Sequence, residues 1–303
     1  MRPAERMEHA PLLDAMSEIA ADIDARFDRL LAVPDDARAD LYRSMRHATI
    51  GGGKRLRPLL LIATADLLGV DRECSGRAAT ALEAIHVYSL IHDDLPAMDD
   101  DDLRRGKPTV HKAFDEATAI LAGDSLHALA FEVLADPATH PDPFVRAELV
   151  LDLARAAGPA GMAGGQAMDL EAERSSFDLA TVTRLQALKT GALIAAAVEA
   201  GAILGRVPPA GRTGLRGYAR DIGLAFQIAD DLLDVEGDEE AVGKALRKDE
   251  AAGKETFLSL LGPERAREQA AMLVDQAVAH LHPYGAEADL LRALARFVLS
   301  RDR

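Results

Sequence analysis

The chain is poor in the residues that β-sheets favour. It has 303 residues and no tryptophan, and aromatic residues make up only 4% of it. A β-sandwich or β-barrel of this size would need more aromatic and β-branched side chains than its alanine-rich segments provide. Alanine and leucine have high helix propensity instead. The composition therefore predicts an all-α protein.

Positive charge is also scarce. The chain has 35 lysine and arginine residues against 50 aspartate and glutamate residues, so its formal net charge is −15. Nucleic-acid binding requires a basic surface that neutralises phosphates, and this balance argues against it. The single cysteine, Cys74, excludes an internal disulfide bond and fits a reducing compartment.

Long uninterrupted apolar runs are missing. The first twenty residues contain four acidic side chains, so no cleavable export signal is expected. The most apolar stretch, residues 190–205, is interrupted by Glu199 and is shorter than the roughly 20 residues that a membrane-spanning helix needs. We therefore predict a cytoplasmic protein without a membrane span.

What the chain does contain is apolar residues at three-to-four spacing, which is typical of helices. The pattern covers residues 12–31, 55–68, 78–91, 117–134, 144–157, 181–204, 212–235, 263–281 and 288–299. The breaks between them are short and no linker divides the chain, so we predict a single domain over residues 1–303. The segments 78–91, 190–202 and 215–229 are apolar over most of their circumference and belong inside the protein.

The strongest candidate site is an acidic segment after one of these interior helices. Residues 93–102 contain six aspartates, among them Asp93, Asp94 and Asp99. Carboxylates this close repel one another unless cations lie between them, and oxygen ligands favour hard ions such as Mg²⁺. A solvated acidic loop is the ordinary alternative. The apolar helix before the segment and the two arginines after it favour a metal site.

A second acidic cluster follows another apolar helix. Asp230 and Asp234 are four residues apart and share one helical face. If the two clusters face each other, they could hold several Mg²⁺ ions that in turn bind a diphosphate. A calcium loop is a poor alternative, because both clusters lack the glycine that such a loop requires at its sixth position.

Basic residues complement the two clusters. Residues 51–53 are glycines, and Lys54, Arg55 and Arg57 follow them at the start of a helix, a combination that suits an anion site. The spacing does not match a phosphate-binding P-loop, and a capped surface helix is the ordinary alternative. Lys189 opens an apolar stretch, where it either has a function or extends its amine to solvent.

Four further residues carry side chains of the kinds that take part in catalysis or binding. His86 lies two helical turns before Asp93 and projects on nearly the same face, although a hydrogen-bonded core histidine is the commoner case. Gln166 or Asp169 could face a cavity. Cys74 has no neighbours in the sequence that indicate catalysis.

Together these motifs resemble those of the trans-isoprenyl diphosphate synthases, and most closely the bacterial farnesyl type. The matching segments run from about residue 51 to residue 256. They are GGKRLRP at 52–58, DDLPAMD at 93–99, DLRRGKPTVH at 102–111, GGQAMDLE at 164–171, KTGALI at 189–194, FQIADDLLD at 226–234 and GKET at 253–256. One motif alone would be weak, but several in this order are specific.

The resemblance implies an all-α, isoprenoid-synthase-type helical bundle around a central cavity, usually a homodimer. Such enzymes condense isopentenyl diphosphate with dimethylallyl or geranyl diphosphate, with about three Mg²⁺ ions per active site. The implied metal ligands are Asp93, Asp94, Asp99, Asp230 and Asp234. The residues implied to bind isopentenyl diphosphate are Lys54, Arg57, His86 and Arg105, and those for the allylic diphosphate are Arg104, Lys189, Lys244 and Lys254. Thr190 and Gln227 would lie near the developing carbocation. The catalytic set would be Asp93, Asp94, Lys189, Thr190, Gln227 and Asp230.

The resemblance also implies the length of the product. Tyr88 and Ser89 precede Asp93 by five and four residues, and Tyr88 would be the first bulky side chain to stop the growing tail. An aromatic residue here resembles the bacterial farnesyl type, so we predict a C15 product, although Tyr88 could be an ordinary core residue. The charged segment 236–249 leaves the contacts of its loop open.

Three other functions compete with this one. A geranylgeranyl diphosphate synthase is the nearest alternative. A terpene cyclase would not need the second diphosphate site that Lys54, Arg57 and His86 indicate. An inactive partner subunit would not need intact aspartates in both motifs.

Overall fold

A computed structural model describes residues 10–236 and 255–300 of the chain. This part of the chain is almost entirely helical, which confirms the all-α prediction. The helices are α1 (Ala10–Leu30), α2 (Ala39–Thr49), α3 (Leu56–Leu67), α4 (Arg72–Asp93), α5 (Val110–Ala113), α6 (Glu116–Ala135), α7 (Pro143–Ala157), α8 (Met162–Ala172), α9 (Leu179–Gln186), α10 (Ala192–Leu204), α11 (Thr213–Glu236), α12 (Phe257–Leu261), α13 (Pro263–His280) and α14 (Asp289–Ser300).

Helices α4, α10 and α11 form the interior that the apolar segments predict. Asp71 caps the start of α4, because its carboxylate accepts hydrogen bonds from the backbone amides of Glu73 and Cys74. Helix α4 packs against α3 and α6, and α10 packs against α3, α4, α7 and α11. Helices α4 and α11, which carry the two aspartate clusters at or near their C-terminal ends, are thus both neighbours of α10.

The structure also contains elements that the apolar spacing did not predict. A two-residue antiparallel hairpin pairs β1 (Leu103–Arg104) with β2 (Lys107–Pro108). The segment predicted as one helix over 181–204 is interrupted by a π-helical turn, Ala187–Gly191. Helices α2, α5, α8 and α12 were also missed. Polar Ser44 and Thr49 are buried in α2, which weakens its apolar pattern.

Two described helical segments are long and apolar enough to cross a membrane by composition alone. They are Glu116–Ala135 and Leu179–Leu204, and 39% and 50% of their most apolar windows are buried inside the bundle. Core helices of globular proteins pass the same test, so the absence of a membrane span stays a prediction.

A buried ion pair anchors the segment before α3. The side chains of Arg55 and Glu83 are 1% and 2% exposed, and an Arg55 nitrogen lies 2.7 Å from Glu83 Oε1. Arg55 also pairs with Asp24 of α1 at 2.6 Å. Burying two charges is costly, but removing one partner leaves the other uncompensated, which costs more.

We expect Glu83→Gln to destabilise the protein by about 3 kcal/mol, because Arg55 would keep its charge without its deepest partner. Chemical denaturation measures the change. Asp40→Asn is the control, since it removes the solvent-exposed ion pair between Asp40 and Arg43 and should have little effect. Equal losses in the two variants would contradict the importance of the buried pair.

A second charged cluster lies between α7, α10 and the start of α11. Glu199 is 9% exposed and pairs with Arg212 at 3.0 Å and with Arg216. Asp152 lies beside this cluster. Burial raises the pKa of Asp152 to about 7, and the neighbouring Glu199 adds to the rise.

This raised pKa predicts a pH dependence of stability. The folded protein keeps a proton on Asp152 up to about pH 7, whereas the unfolded chain loses it near pH 3.8, so the carboxylate opposes folding increasingly as the pH rises between those values. Asp152→Asn should therefore raise the melting temperature at pH 8, and the gain should shrink towards zero near pH 4. A gain that is independent of pH would contradict the assignment.

Candidate active site

The first aspartate cluster begins at the end of α4 and folds back onto it. The amide of Asp99 donates to Asp93 O at 2.8 Å, and that of Asp101 donates to Asp94 O at 3.2 Å. Burial raises the pKa of Asp93 to about 6, while Lys189 opposes the rise and Asp99 adds to it. The carboxyl groups are thus held together in a setting that disfavours their charge and would be stabilised by added cations.

Arg104 already provides one counter-charge. The Nε and Nη2 atoms of Arg104 lie 2.7 and 2.6 Å from Asp94 Oδ1. Burial raises the pKa of Asp94, and the hydrogen bond from Arg104 opposes that rise. Arg104, implied to bind the allylic diphosphate, therefore neutralises an implied metal ligand.

The second cluster lies on α11. Asp230 and Asp234 are both partly buried. Burial lowers the pKa of Arg57, and the nearby charge of Asp230 opposes this change. Among residues 10–236 and 255–300, no three carboxylate, histidine or cysteine side chains converge into a ready metal-binding group. The donors nevertheless fit a hard divalent cation, since they are carboxylate oxygens and Asp93 is poorly stabilised as an anion.

A cavity of about 480 Å³ opens beside Asp93. Polar groups at this cavity include Lys189 and Thr190 from the π-helical turn and Arg57 and His86 from α3 and α4. The rest of the lining includes Tyr88, Ser89, Leu90, Met98, Met162, Ala163, Ala167 and Leu170. The cavity therefore joins a strongly charged region to a lining of mostly apolar side chains.

Lys189 is held by a carboxylate from α8. Its Nζ lies 2.8 Å from Asp169 Oδ2. Helix α8 approaches the π-helical turn so closely that a Cβ on Gly165 would lie 2.2 Å from the backbone nitrogen of Lys189. Gln166, which also lines the cavity, has a buried Nε2 without a hydrogen-bond partner. The sequence indicated that Gln166 or Asp169 could face a cavity, but not that Asp169 pairs with Lys189.

Thr190 and Gln227 are hydrogen-bonded to each other. Thr190 Oγ1 donates to Gln227 Oε1 at 3.2 Å, and Gln227 Nε2 donates to Asp231 Oδ1 at 2.9 Å. Asp231 is 4% exposed and its other oxygen accepts from the amide of Phe257 at 2.9 Å. Asp231, to which sequence analysis assigned no role, thus orients the amide of Gln227.

Arg57 and His86 form the second basic group. Arg57 Nη1 donates to His86 Nε2 at 3.3 Å, and Arg57 Nε is buried without a partner. Burial lowers the pKa of His86 well below its usual range, and the charge of Arg57 lowers it further. His86 is therefore neutral at pH 7 and accepts from Arg57, which leaves guanidinium donors for an anion.

The glycine segment before α3 has a conformation that suits glycine. Gly51 and Gly53 have φ angles of 73° and 86°, in the left-handed region. A Cβ on Gly53 would lie 2.4 Å from Arg105 Nη1, so the absence of a side chain lets the arginine lie against the loop. Lys54 follows as an exposed residue.

One expectation for this segment is corrected. Arg55 was grouped with Lys54 and Arg57 as a cation for an anion site, but its guanidinium is buried and paired with Glu83 and Asp24. The pairing depends on residues 28 positions later and 31 positions earlier in the chain, which a local motif does not reveal. Lys244 and Lys254 lie outside the described residues.

Tyr88 and Ser89 both line the cavity. The ring of Tyr88 makes edge contacts with the rings of His92 and His127, with centroids 5.7 and 5.0 Å apart. His127 in turn packs against Phe131 at 5.2 Å. Sequence analysis missed His127 and Phe131. Their only local signal was a four-residue spacing on α6.

Comparisons with known proteins identify the family of the chain. The sequence profile of the family described as Polyprenyl synthetase matches residues 38–292. The chain is 47% identical over 274 residues to the farnesyl diphosphate synthase of Escherichia coli strain K12, covering 87% of this chain and 90% of the relative. It is 43% identical over 289 residues to a chloroplastic geranylgeranyl pyrophosphate synthase of Arabidopsis thaliana, covering 93% and 79% of the two chains.

A solved structure is also similar over almost its full length. The apo FPP/GFPP synthase from Zymomonas mobilis is 58% identical and superimposes with a TM-score of 0.88, covering 96% of this chain and 99% of the other. These findings confirm the predicted family. The chain belongs to the polyprenyl synthetase family.

Proposed function

We propose that the protein is a prenyltransferase that condenses isopentenyl diphosphate with dimethylallyl or geranyl diphosphate to give farnesyl diphosphate. The observation that carries the proposal is one cavity in which Asp93, Lys189 and Thr190 stand beside the Arg57–His86 pair. The cavity therefore has two separate sets of side chains, each of which suits one anionic group. A relative with 47% identity is named for the same product.

The first anionic group is the allylic diphosphate at the aspartate clusters. Members of this family use a divalent metal ion, and we propose Mg²⁺, about three ions, held by Asp93, Asp94, Asp99, Asp230 and Asp234. When bound, the metal neutralises the diphosphate and stabilises the pyrophosphate leaving group. Lys189 and Arg104 would add positive charge to the same group. Both already lie beside carboxylates, from which a diphosphate would draw them by its greater charge.

The second anionic group is isopentenyl diphosphate. Arg57 is buried with an unpartnered Nε and a neutral histidine on its other side, so it has donors available for a phosphate oxygen. Arg105, in the hairpin turn, lies against Gly53 and its charge acts on Arg57. Lys54 is an exposed residue that directly follows the glycine loop. We propose that these three residues, with His86, hold the alkene next to the allylic carbon.

The residues between the two groups suit a carbocation. Heterolysis of the allylic C–O bond leaves positive charge on carbon, which the mostly apolar lining shields from water. The Oγ1 atom of Thr190 and the Oε1 atom of Gln227 supply negative dipoles, and Asp231 keeps the amide of Gln227 in that orientation. The alkene then forms the new C–C bond, and a proton lost to the departed pyrophosphate ends the cycle.

A geranylgeranyl product is the second candidate. A relative at 43% identity is named as a geranylgeranyl pyrophosphate synthase. The solved structure at 58% identity is named as an FPP/GFPP synthase, a name that includes the farnesyl product itself. Tyr88 favours the shorter product, because its ring narrows the cavity on α4 and is backed by His127. The aspartates of both motifs argue against an inactive subunit, and the Arg57–His86 pair against a terpene cyclase.

We also propose that the chain acts in the cytoplasm as a homodimer, each copy one polyprenyl synthetase domain. Exposed apolar side chains on α6 and α7 support the dimer, since Leu121 is 54% and Phe144 83% exposed.

Light scattering should give twice the 32.3 kDa chain mass, and Leu121→Glu should lower the measured mass. A monomer in the wild type would contradict this proposal.

Metal dependence is the first prediction for the site. Asp93→Ala and Asp230→Ala should each lower kcat at least about 100-fold at saturating Mg²⁺, because metal-held charge at the leaving group is lost. The melting temperature without metal should not fall. Asp124→Ala, an exposed aspartate on α6, is the control. Full activity of Asp93→Ala in excess Mg²⁺ would refute the metal site.

The two diphosphate sites should separate in steady-state kinetics. Arg57→Ala should mainly raise KM for isopentenyl diphosphate, by about tenfold or more, since it contacts only that substrate. Lys189→Ala should mainly lower kcat, by about 100-fold, because it assists ionisation of the allylic substrate. The same kinetic defect in both variants would show that this division is wrong.

Product length tests the position of Tyr88. The wild type should make C15, and Tyr88→Ala should shift the product to C20 or longer, because the cavity gains the volume of the ring. Ser89→Ala is the matched control beside it and should still give C15. Chromatography of the dephosphorylated products distinguishes them. An unchanged C15 product from Tyr88→Ala would place the end of the cavity elsewhere.

A further inference from the structure

The β1–β2 hairpin lies between the aspartate cluster and the glycine loop. Its two-residue turn, Arg105–Gly106, has φ angles of 54° and 75°, as in the tight turns that match the twist of a hairpin. Arg104 and Lys107 are opposite each other in the ladder. Side chains at opposed positions project from the same face of a hairpin, so both start from one side of it.

The two opposed side chains then reach different parts of the site. Arg104 pairs with Asp94 at the end of α4. Lys107 extends to the glycine loop, where its Nζ donates to Ile50 O at 3.3 Å and to Gly51 O at 3.2 Å. The hairpin is therefore bonded both to the proposed metal-binding end of α4 and to the backbone before Lys54.

A histidine strengthens the same connection. His47, near the end of α2, lies with Nε2 2.8 Å from Pro108 O, a distance that indicates donation to the hairpin backbone. The ring of His47 also packs against Phe114, at a centroid distance of 5.9 Å. The hairpin is thus fixed on the side of α2 as well.

The glycine loop is held from its opposite side by α1. The amide of Gly51 donates to Asp24 Oδ2 at 2.9 Å, while the carbonyl of Gly51 accepts from Lys107. Asp24 is itself paired with the buried Arg55. Glycine has wide conformational freedom, and Gly51 adopts a left-handed φ angle. The hydrogen bonds at its amide and its carbonyl group therefore restrain a residue that would otherwise move easily.

The restraint matters because the cations of the proposed isopentenyl diphosphate site come from two separate segments. Lys54 follows the glycine loop, and Arg105 forms the hairpin turn, where its guanidinium lies against Gly52 and Gly53. A diphosphate can receive both charges only if the loop and the turn keep a defined separation.

We propose that Lys107 is a positioning residue that joins the hairpin to the glycine loop and thereby sets the distance between Arg105 and Lys54. This inference rests on the proposed function for the identity of the substrate, but the connection itself is independent of any substrate. The amine of Lys107 donates its hydrogen bonds to the carbonyls of Ile50 and Gly51, so it acts on the substrate site through the backbone of the loop.

The variants are chosen to separate this role from a general effect of charge. Lys107→Met keeps the aliphatic stem and removes the donors, and Lys107→Arg keeps a charged donor group. Lys107→Leu, which also lacks donors, is the second loss variant if the methionine variant does not fold. The matched control is Lys112→Met, which removes an equal charge nearby but breaks an exposed pair with Asp102 instead.

The first measurement is hydrogen exchange in the protein without substrate. Exchange of a peptide covering residues 50–54 should be at least about threefold faster in Lys107→Met, and unchanged in Lys107→Arg and Lys112→Met. Melting temperatures should be similar in all four proteins. Unchanged exchange in Lys107→Met would overturn the proposal, whatever the enzyme acts on.

The second measurement is kinetic. Lys107→Met should raise KM for isopentenyl diphosphate about fivefold, with kcat and KM for the allylic substrate within about twofold of wild type, and Lys107→Arg should restore KM. A raised KM without faster exchange would mean that Lys107 binds the substrate directly, which overturns a positioning role. Faster exchange with unchanged KM would also overturn it. Failure of the wild type to transfer a prenyl group would refute the proposed function, while the exchange result would still test the connection.

Discussion

The site depends on the repulsion between carboxylates that the fold holds at the end of an apolar helix. Asp93 is the last residue of α4 and Asp94 follows it, the preceding turns of the helix are packed in the core, and burial raises the pKa of both aspartates. Such a cluster favours cations, because each added positive charge relieves desolvation and repulsion together. Arg104 of the hairpin and Lys189 of the π-helical turn place positive charge beside this cluster, and the proposed metal ions would add more.

Two proposed diphosphate ligands lie in ion pairs with carboxylates of the protein. Arg104 pairs with Asp94, and Lys189 pairs with Asp169. If the two cations bind a diphosphate as proposed, binding exchanges the anionic partner of each cation for another. Exchange costs less than bringing an unpaired, fully hydrated lysine into a half-buried site. Arg57 differs, since its neighbour is a neutral histidine.

The cavity combines this charged end with a lining that contains few charges. Tyr88 belongs to α4, the same helix that ends at Asp93, so the position of the ring relative to Asp93 is set by helix geometry. The ring of His127, from α6, packs against Tyr88, and the ring of Phe131 packs against His127. Packing between α4 and α6 therefore restrains the ring of Tyr88 in the cavity wall.

The sequence by itself determined the helical class, the family and the local parts of the site. Helix periodicity, the two aspartate motifs and the Lys189–Thr190 pair are local signals, so neighbouring residues in the chain are enough to identify them. Tertiary structure alone decided which groups are partners. Asp169 pairs with Lys189, which is 20 residues away in the chain. Glu83 pairs with Arg55, 28 residues away, and so keeps Arg55 out of the proposed anion site. Lys107 donates to the carbonyl of Gly51, 56 residues away. No local pattern encodes such pairs, because each depends on how helices far apart in the chain pack together and on which charges that packing buries.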